Sequence, residues 1–302
     1  VKHNRWLEDA LGIPIRWIRY PSGASVNRAV SNRQVDIGLA GSTAIAGGVP
    51  AGLSYKVVWI YDIIGSAEAL VVRDGAGIKS IGDLVGKRVA VPFGATTHYA
   101  LLEDLTRSHV DMNRVTIMDL EPADIVKAWQ NGVIDAAYIW QPSLAKLLNH
   151  GGTVLVDSHQ LARHGVLTAD LGFVSDELAS DFPDVVRTWL KQENRAVELI
   201  QSDPAKAAQS IGAELGISAP AAQAEMKGYQ FLTAREQLSG KYFGKPGQPG
   251  RLIDQLTRAA VFQHDYPQTI RFIKEKLYRP EPTRKDFEEA VDTSFLTQMV
   301  RN

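Results

Sequence analysis

A helix–turn–strand pattern occurs twice in this chain, in two segments that align with each other without gaps. The segments are Ala29–Ser42 and Ala128–Gln141. In each, a helical pattern ends at an asparagine turn, and a β-branched residue and an aspartate then lead into an apolar strand that ends in a polar turn. Because ligands of open α/β sheets bind beyond the carboxyl ends of the strands, two such units predict two related lobes with a cleft between them. The matched aspartates, Asp36 and Asp135, are interpreted as structural, each with a hydrogen bond inside its own lobe.

Around this repeat, short apolar strand patterns alternate with helical patterns as far as Val174. Such alternation is typical of α/β proteins. It also predicts an early strand over Ile13–Tyr20. From Phe182 onward the spacing of apolar residues is helical, and this predicts a series of helices that includes one over Pro267–Lys276. The Gly/Pro/Lys-rich stretch Ser239–Gly250 is predicted to be an exposed, mobile loop.

The composition describes a globular protein and argues against several functional classes. The chain has 302 residues, of which 45% are hydrophobic and 22% charged, and its formal net charge is −1. This allows sizeable cores in two domains. Near-neutral charge without a basic run argues against nucleic-acid binding, and no apolar segment is long enough to span a bilayer. Cysteine is absent, and the seven histidines lack metal-ligand spacing, so we expect neither a metal nor a cofactor.

The stretch Arg88–Leu102 (RVAVPFGATTHYALL) suggests how one lobe binds an anion without a cationic side chain. It reads as a short apolar strand, a break at Pro92 and Gly94, and a helix that begins at the polar run Thr96–Tyr99. A helix N-terminus offers free N–H groups and a partial positive charge, and the two threonines add hydroxyl donors. One threonine on its own would be read as a helix cap. Two threonines, a histidine and a tyrosine in succession favour a ligand site.

Other loops at strand ends supply the remaining candidate side chains. Gly41-Ser42-Thr43 is again a set of neutral donors at a helix start, whereas Glu68 and Asp170 each stand at the head of an apolar strand. A carboxylate at a strand end is usually just solvated, but one that faces the cleft would pair with an ammonium group. Trp140 and Tyr99 offer apolar or cation–π walls, although ordinary core packing explains Trp140 equally well. An anion pocket beside a lone carboxylate describes a small zwitterion of the form anion–CH2–CH2–ammonium.

Nothing in the sequence resembles the catalytic constellation of an enzyme. It contains no G-x-S-x-G, no P-loop and no G-x-G-x-x-G after a strand. His98 and Glu68 could serve as a base and its orienting carboxylate, but no nucleophile is paired with them. We therefore expect a binding protein rather than an enzyme.

Several segments resemble the aliphatic-sulfonate branch of the periplasmic substrate-binding proteins of bacterial ABC importers, and within it the taurine binders. The resemblance extends over about residues 20–180. Its most specific parts are Ser66–Val72 (SAEALVV) and Ile81–Tyr99 (IGDLVGKRVAVPFGATTHY). Further support comes from Ser22–Ser25, Val35–Gly38 with Gly41-Ser42, Ala128–Trp140, Asp157-Ser158 and Leu167–Val174.

This resemblance implies an α/β fold of the type II periplasmic binding protein class, with two α/β lobes joined by two crossover segments. Lobe one would comprise residues 1–73 and 175–302 and lobe two residues 74–174, with crossovers at about 70–75 and 171–176 and the ligand cleft between the lobes. Carried over by position, the residues around the sulfonate would be Ser42, Thr43, Thr96, Thr97, His98 and Tyr99. Asp170, and with it Glu68, would hold the ammonium group, and Trp140 and Gln141 would shape the floor.

The function that the resemblance implies is capture of taurine (2-aminoethanesulfonate) by the solute-binding component of an ABC importer, which closes around the ligand and delivers it to the permease. We expect a periplasmic monomer, or an extracytoplasmic one anchored by a lipid in some hosts. The chain opens at Val1 without a signal peptide, which is compatible with removal of a leader. One alternative is a binder of other short sulfonates or related anions, which needs no carboxylate for an ammonium group. Another is an enzyme like the thiamine-pyrimidine synthases of the same fold, which would require iron or a pyridoxal-binding lysine.

Overall fold

The computed structural model of the protein describes residues 1–265 and 281–301. The strands are β1 (Ile37–Gly41), β2 (Tyr55–Ile64), β3 (Glu68–Arg73), β4 (Arg88–Val91), β5 (Thr116–Asp119), β6 (Ala136–Trp140), β7 (Gly152–Asp157), β8 (Ala169–Ser175), β9 (Tyr229–Gln230), β10 (Gly244–Lys245) and β11 (Gln248–Pro249). The helices are α1 (Trp6–Leu11), α2 (Gly23–Ser31), α3 (Ser42–Gly48), α4 (Thr96–Arg107), α5 (Pro122–Gln130), α6 (Ser143–Leu148), α7 (Ser158–Ala162), α8 (Asp176–Asp181), α9 (Pro183–Ser202), α10 (Pro204–Leu215), α11 (Ala219–Met226), α12 (Ala234–Gln237), α13 (Arg251–Asp265), α14 (Arg284–Ala290) and α15 (Ser294–Arg301). Short 3₁₀ helices lie at Ile81–Leu84 and Met112–Arg114.

Two sheets organise the described residues into two α/β lobes. The sheet of lobe one is antiparallel with the strand order β1-β8-β2-β9, and helices α2, α3, α8, α12 and α14 contact its strands. The sheet of lobe two has the order β5-β4-β6-β3-β7, and helices α4, α5 and α6 contact its strands. In that sheet β4 pairs in parallel with β5 and β6, whereas β3 pairs antiparallel with β6 and β7. The predicted two-lobe α/β architecture is confirmed.

Strand pairing puts the crossovers earlier in the chain than the sequence suggested. All of Glu68–Arg73 pairs within the sheet of lobe two, and all of Ala169–Ser175 pairs within the sheet of lobe one. The chain therefore passes between the sheets at residues 65–67 and again over residues 158–168. The predicted crossovers at about 70–75 and 171–176 cut through two strands, because an apolar run shows that a strand exists but not which sheet it joins. The division of the chain into two separate domains stays a prediction.

The central strands of lobe two are buried on both faces. Leu70 and Val72 belong to one apolar cluster, with α4 on that side of the sheet, whereas Ala69 and Val71 belong to a second cluster with residues of α5 and α6. Successive side chains of a strand point to opposite faces, so the continuous apolar run of β3 is what a doubly covered sheet requires. Full burial of one such leucine stabilises the fold by about 1.5–3 kcal/mol.

Both copies of the repeat fold as their patterns predict. In each copy a helix ends at an asparagine, Asn32 or Asn131, and a strand follows, β1 in lobe one and β6 in lobe two. Asp135 has the predicted structural role, since its carboxylate accepts hydrogen bonds from the backbone N–H and the guanidinium of Arg88 at 2.8–3.0 Å.

Two local predictions are wrong. Ile13–Tyr20 is not part of a strand, since none of its backbone groups forms a ladder hydrogen bond with the described residues. For Ser239–Gly250 the prediction is wrong only in part: residues 239–241 and 245–249 are exposed, but the stretch contains the small β10–β11 hairpin, and Tyr242 and Phe243 are buried in the core. The helix predicted over Pro267–Lys276 lies outside the described residues.

Among the described residues, no helix combines the length and the apolar character needed to cross a membrane.

Candidate functional site

A cavity of about 180 Å³ lies between the two lobes. Its volume is below the several hundred Å³ of drug-sized pockets, so it suits a small ligand. The residues that line it from lobe one are Tyr20, Pro21, Ser22, Gly23, Val26, Leu39, Ala40, Gly41, Ala44, Ile64, Asp170 and Tyr229. The residues that line it from lobe two are Glu68, Ala95, Thr96 and Trp140. None of these described residues is a lysine or an arginine.

Three helices begin at this cavity, and none of them has a side-chain cap. The N-cap residues are Ser22 for α2, Gly41 for α3 and Ala95 for α4, and all three line the cavity. The first N–H groups of a helix have no partner within the helix and carry a partial positive charge. Because caps are absent, these N–H groups of both lobes are available to an anion between the lobes.

Two carboxylates at the cavity, those of Asp170 and Glu68, supply negative charge. Asp170 stands on β8 directly opposite Gly41 of β1, and a Cβ at Gly41 would come within 3.6 Å of its Oδ1. The missing side chain at Gly41 therefore leaves Asp170 open to the cleft. Burial raises the pKa of Asp170 to about 6. At neutral pH the carboxylate is thus largely ionised but poorly solvated, a state that an ammonium group would stabilise.

Glu68 is fully buried and already surrounded by hydroxyl groups. Its carboxylate accepts hydrogen bonds from Thr96 Oγ1, from Ser158 Oγ at 2.5 Å and from Thr168 Oγ1 at 3.5 Å. Burial raises the pKa of Glu68 to about 7, and the bonds from these hydroxyls act in the opposite direction. Because its oxygens are occupied, Glu68 is better placed to fix Thr96 at the cleft than to bind a ligand alone.

The structure brings four of the ten predicted site residues to the cavity wall, namely Glu68, Thr96, Trp140 and Asp170. Trp140 pairs with Glu68 in the ladder of β3 and β6 and is half-buried. Gly41 and Trp140 occupy equivalent positions of the internal repeat, and both line the cavity. The expectation that the repeat delivers two strand ends to one cleft is therefore confirmed.

Thr97, His98 and Tyr99 are not among the residues that line the cavity. Thr97 is fully buried, and its Oγ1 has no hydrogen-bond partner among the described residues. His98 stacks on Phe93 with ring centroids 4.3 Å apart, its Nδ1 accepts the N–H of Gly94 at 3.2 Å, and burial lowers its pKa to about 3. The hydroxyl of Tyr99 donates to a carboxylate of its own helix, Glu103, at 2.9 Å. Successive helical residues point about 100° apart, so four in a row cannot face one cleft.

Ser42, Thr43 and Gln141 also lie behind the cavity wall. Ser42 Oγ accepts the N–H of Ala169 at 3.3 Å and so fixes the start of β8. Thr43 is buried, and its carbonyl accepts a hydrogen bond from Gln263 at 2.9 Å. Gln141 Oε1 accepts the N–H of Ala145 at 3.1 Å within the first turn of α6.

Several cavity residues were not predicted. Ser22 and Gly23 lie in the Pro21–Ser25 turn, where a serine and a glycine at a helix start were the available signal. Tyr20 and Tyr229 come from segments far apart in sequence, and no local pattern marks either of them.

Direct bonds between the lobes lie beside the cavity. Ser22 Oγ donates to Glu121 Oε1 at 3.1 Å, which links the start of α2 to the start of α5. Farther away, the guanidinium of Arg258 on α13 donates to both oxygens of Glu103 on α4 at 2.9 and 3.0 Å. Polar contacts thus join the two lobes at both of these places. Within the described residues, no group of histidine, aspartate and glutamate side chains is arranged to hold a metal ion.

Comparison with known proteins agrees with this description. The model of the NMT1/THI5 like family matches residues 6–207. The taurine-binding periplasmic protein of Escherichia coli (strain K12) is 32% identical over 274 residues, which cover 87% of this chain and 85% of that protein. A putative aliphatic sulfonates-binding protein of Bacillus subtilis (strain 168) is 28% identical and is matched over 65% of this chain and 59% of its own length.

Solved structures show the same fold. The alkanesulfonate-binding protein SsuA of Xanthomonas axonopodis pv. citri, bound to MOPS, superposes with a TM-score of 0.71 at 22% identity, over 96% of this chain and 92% of that one. The periplasmic aliphatic sulphonate binding protein SsuA of Escherichia coli gives a TM-score of 0.72 at 20% identity, over 98% and 94%. The chain therefore has the periplasmic binding protein fold.

Proposed function

Since the chain belongs to the NMT1/THI5 like family, we propose that it is the periplasmic substrate-binding component of an ABC importer and that its ligand is taurine. It binds the ligand in the cleft between the lobes and passes it to a permease. The protein works as a monomer, and it is a binding protein rather than an enzyme. The family, the fold and the relationship to a taurine-binding protein support this proposal.

The observation that carries the choice of taurine is the division of the cavity into two chemically opposite parts. Three uncapped helix starts, at Ser22, Gly41 and Ala95, offer N–H groups to a sulfonate. The carboxylate of Asp170, with that of Glu68 behind it, offers negative charge to an ammonium group. A short zwitterion satisfies both parts at once and bridges the two lobes, which favours closure around it.

A sulfonate without an amine is the second candidate, because two relatives in the comparison are described as binders of aliphatic sulfonates or alkanesulfonates. Such a ligand leaves the buried carboxylate of Asp170 without a counter-charge. Burying an unpaired charge is costly, so the cleft would discriminate against this ligand whenever Asp170 is ionised.

Thermal unfolding with matched ligands tests the proposal. Taurine, ethanesulfonate and β-alanine share one skeleton and differ in the amine and in the acid group. A ligand at about 100 times its Kd stabilises the folded state by roughly 2.7 kcal/mol, which moves the Tm by several degrees. We expect the largest shift with taurine. A shift with ethanesulfonate but none with taurine would favour the second candidate, and no shift with any of the three would refute sulfonate binding in this cleft.

A further inference from the structure

Asp62 is a buried carboxylate that lies next to the cavity without lining it. The register of β2 and β8 puts Asp62 directly opposite Asp170, so both side chains project from the same face of the sheet. Ile64, two residues farther along β2, lines the cavity, which identifies this face as the one that looks into the cleft. Gly41 is the partner of Asp170 on its other side. The row across the sheet therefore reads Gly41, Asp170, Asp62.

Two irregularities in β2 create this arrangement, and the first is an extra residue, Val58, between Val57 and Trp59. Between Ile60 and Asp62 the pairing with β8 advances by only one residue, from Leu171 to Asp170, so Tyr61 is an extra residue on β2. Without this bulge, Tyr61 rather than Asp62 would stand opposite Asp170. Bulges re-aim side chains beside functional sites, so the pairing of the two carboxylates is a specific feature of this strand.

The two carboxyl groups have little else to interact with. Asp62 is 8% exposed, and its Oδ1 is fully buried without a hydrogen-bond partner among the described residues. Directly opposite residues of antiparallel strands have Cβ atoms roughly 5 Å apart. Two ionised carboxylates at that separation repel each other, and their burial favours uptake of a proton by one of them.

The groups around Asp62 strengthen this effect. Burial raises the pKa of Asp62 well above its ordinary value, and the charges of Asp170 on β8 and Glu68 on β3 raise it further. Tyr229 at β9 and Tyr61 on β2 also titrate near these carboxylates. Burial first, and then neighbouring carboxylates, raise the pKa of both tyrosines, so both stay neutral. Among the described residues, no cation lowers the pKa of Asp62 in return.

In the part of the chain that the structure describes, the helices packed against β2 form no ion pair with Asp62. Helix α12 contributes the amide of Gln237, which bonds to the backbone of Ile60. Helices α8 and α14 pack against β2 as well. Near these two helices lies Lys56, at the far end of β2 from Asp62. Its ammonium group contacts Asp176 and donates to the carbonyl of Glu289.

We propose that Asp62 and Asp170 share one proton while the cleft is free of ligand, and that an ammonium group bound at Asp170 expels this proton to the solvent. Asp62 is thus a positioning residue that sets how strongly the site prefers a cationic group and makes that preference depend on pH. This inference rests on the proposed function in so far as the ligand carries an ammonium group. The shared proton itself belongs to the ligand-free protein.

The ligand-free state is tested first, by following the carboxyl ¹³C resonances of Asp62 and Asp170 as the pH changes. We expect the pair to titrate in two coupled steps, one of them well above the ordinary range of aspartate. In Asp62→Asn the remaining step of Asp170 should move down toward that range. Two independent titrations near the ordinary value would overturn the shared proton, whichever ligand the protein binds.

The second test is calorimetric titration with taurine at about pH 6, in buffers that differ in their heat of ionisation. Wild-type protein should release up to about one proton for each taurine bound, and its Kd should fall by up to about tenfold for each unit of rising pH below the upper step. In Asp62→Asn only Asp170 itself still titrates, so the release should fall toward zero as the pH rises above about 6, and the Kd should become nearly independent of pH in that range. A purely structural role of Asp62 would weaken binding equally at every pH.

Two further variants test the source of the proton. Asp104→Asn removes another buried carboxyl whose pKa burial raises to about 7, but it lies on α4 and does not line the cavity, so proton release should be unchanged. Glu68→Gln is a comparison rather than a silent control, because Glu68 lines the cavity and its charge acts on Asp62. If Glu68→Gln abolishes the release while Asp62→Asn keeps it, the proton belongs to Glu68 and the inference is wrong. If taurine fails to bind wild-type protein, the proposed function fails, while the titration of the ligand-free pair still decides the shared proton.

Discussion

Replacement of Asp170 by asparagine tests the ammonium end of the cleft with almost no change in shape. Asp170 lines the cavity between Gly41 and Asp62 on the sheet, and the described residues place no cation beside it there. A hydrogen bond to a charged partner is worth about 1.5–3 kcal/mol. The variant should therefore bind taurine about tenfold to a hundredfold more weakly. Ethanesulfonate, which has no ammonium group, should bind at least as well as before.

Isothermal titration at about pH 8 is the appropriate assay, because Asp170, with a pKa raised by burial to about 6, is then ionised. Asp176→Asn provides a matched control: this aspartate lies nearby in sequence at the start of α8 but is exposed and distant from the cavity wall. The ligand-free Asp170→Asn protein should be no less stable than wild type, since one of two facing carboxylates is gone. If the variant folds and keeps its affinity for taurine, the assignment of Asp170 to the ammonium group is refuted.

Three further predictions concern stability. Burial raises the pKa of Asp104 to about 7, so the folded protein holds this proton more tightly than the unfolded chain does. Wild-type protein therefore loses stability as the pH rises from about 4 to 7. In urea unfolding, the free energy of unfolding of Asp104→Asn should rise relative to wild type by up to about 1.4 kcal/mol per pH unit in this range. In Gly38→Ala the new Cβ would lie 2.2 Å from Cζ of the buried Phe173, so unfolding should become easier by about 1–3 kcal/mol. Arg258→Met leaves the buried carboxylate of Glu103 without its cation and should cost about 1–3 kcal/mol in the same assay.

Each of these predictions has a control variant or a result that would contradict it. A difference between Asp104→Asn and wild type that does not vary with pH would contradict the titration argument. Gly82→Ala is the control for the glycine, since its nearest neighbour would be Ser80 Oγ at 3.6 Å, an ordinary contact. Arg187→Met is the control for the arginine, because Arg187 pairs with an aspartate that is 91% exposed and such pairs contribute less than about 1 kcal/mol. If Arg258→Met costs no more than Arg187→Met, the contact with Glu103 contributes little.

The periodicity and the internal repeat were sufficient to predict the two-lobe α/β architecture. Strand and helix periods depend on which side chains must be buried, and that information is local. The repeat also indicated that two equivalent strand ends meet at a cleft, and Gly41 and Trp140 do so. Chemical reasoning on single residues made Asp170 and Thr96 candidates, because a carboxylate and a hydroxyl at the end of a strand or the start of a helix have few partners of their own, and both line the cavity.

Only the tertiary structure decided which candidates face the cleft and which strands belong together. Thr97, His98 and Tyr99 look equivalent to Thr96 in sequence, but the turn of the helix directs them away from the cavity wall. Sheet membership of a buried strand depends on hydrogen-bond partners far along the chain, which is why the crossovers were predicted too late. The pairing of Asp62 with Asp170 depends on two extra residues in β2, Val58 and Tyr61. A bulge changes which face of the sheet the following side chains point to, and the composition of the strand does not reveal it.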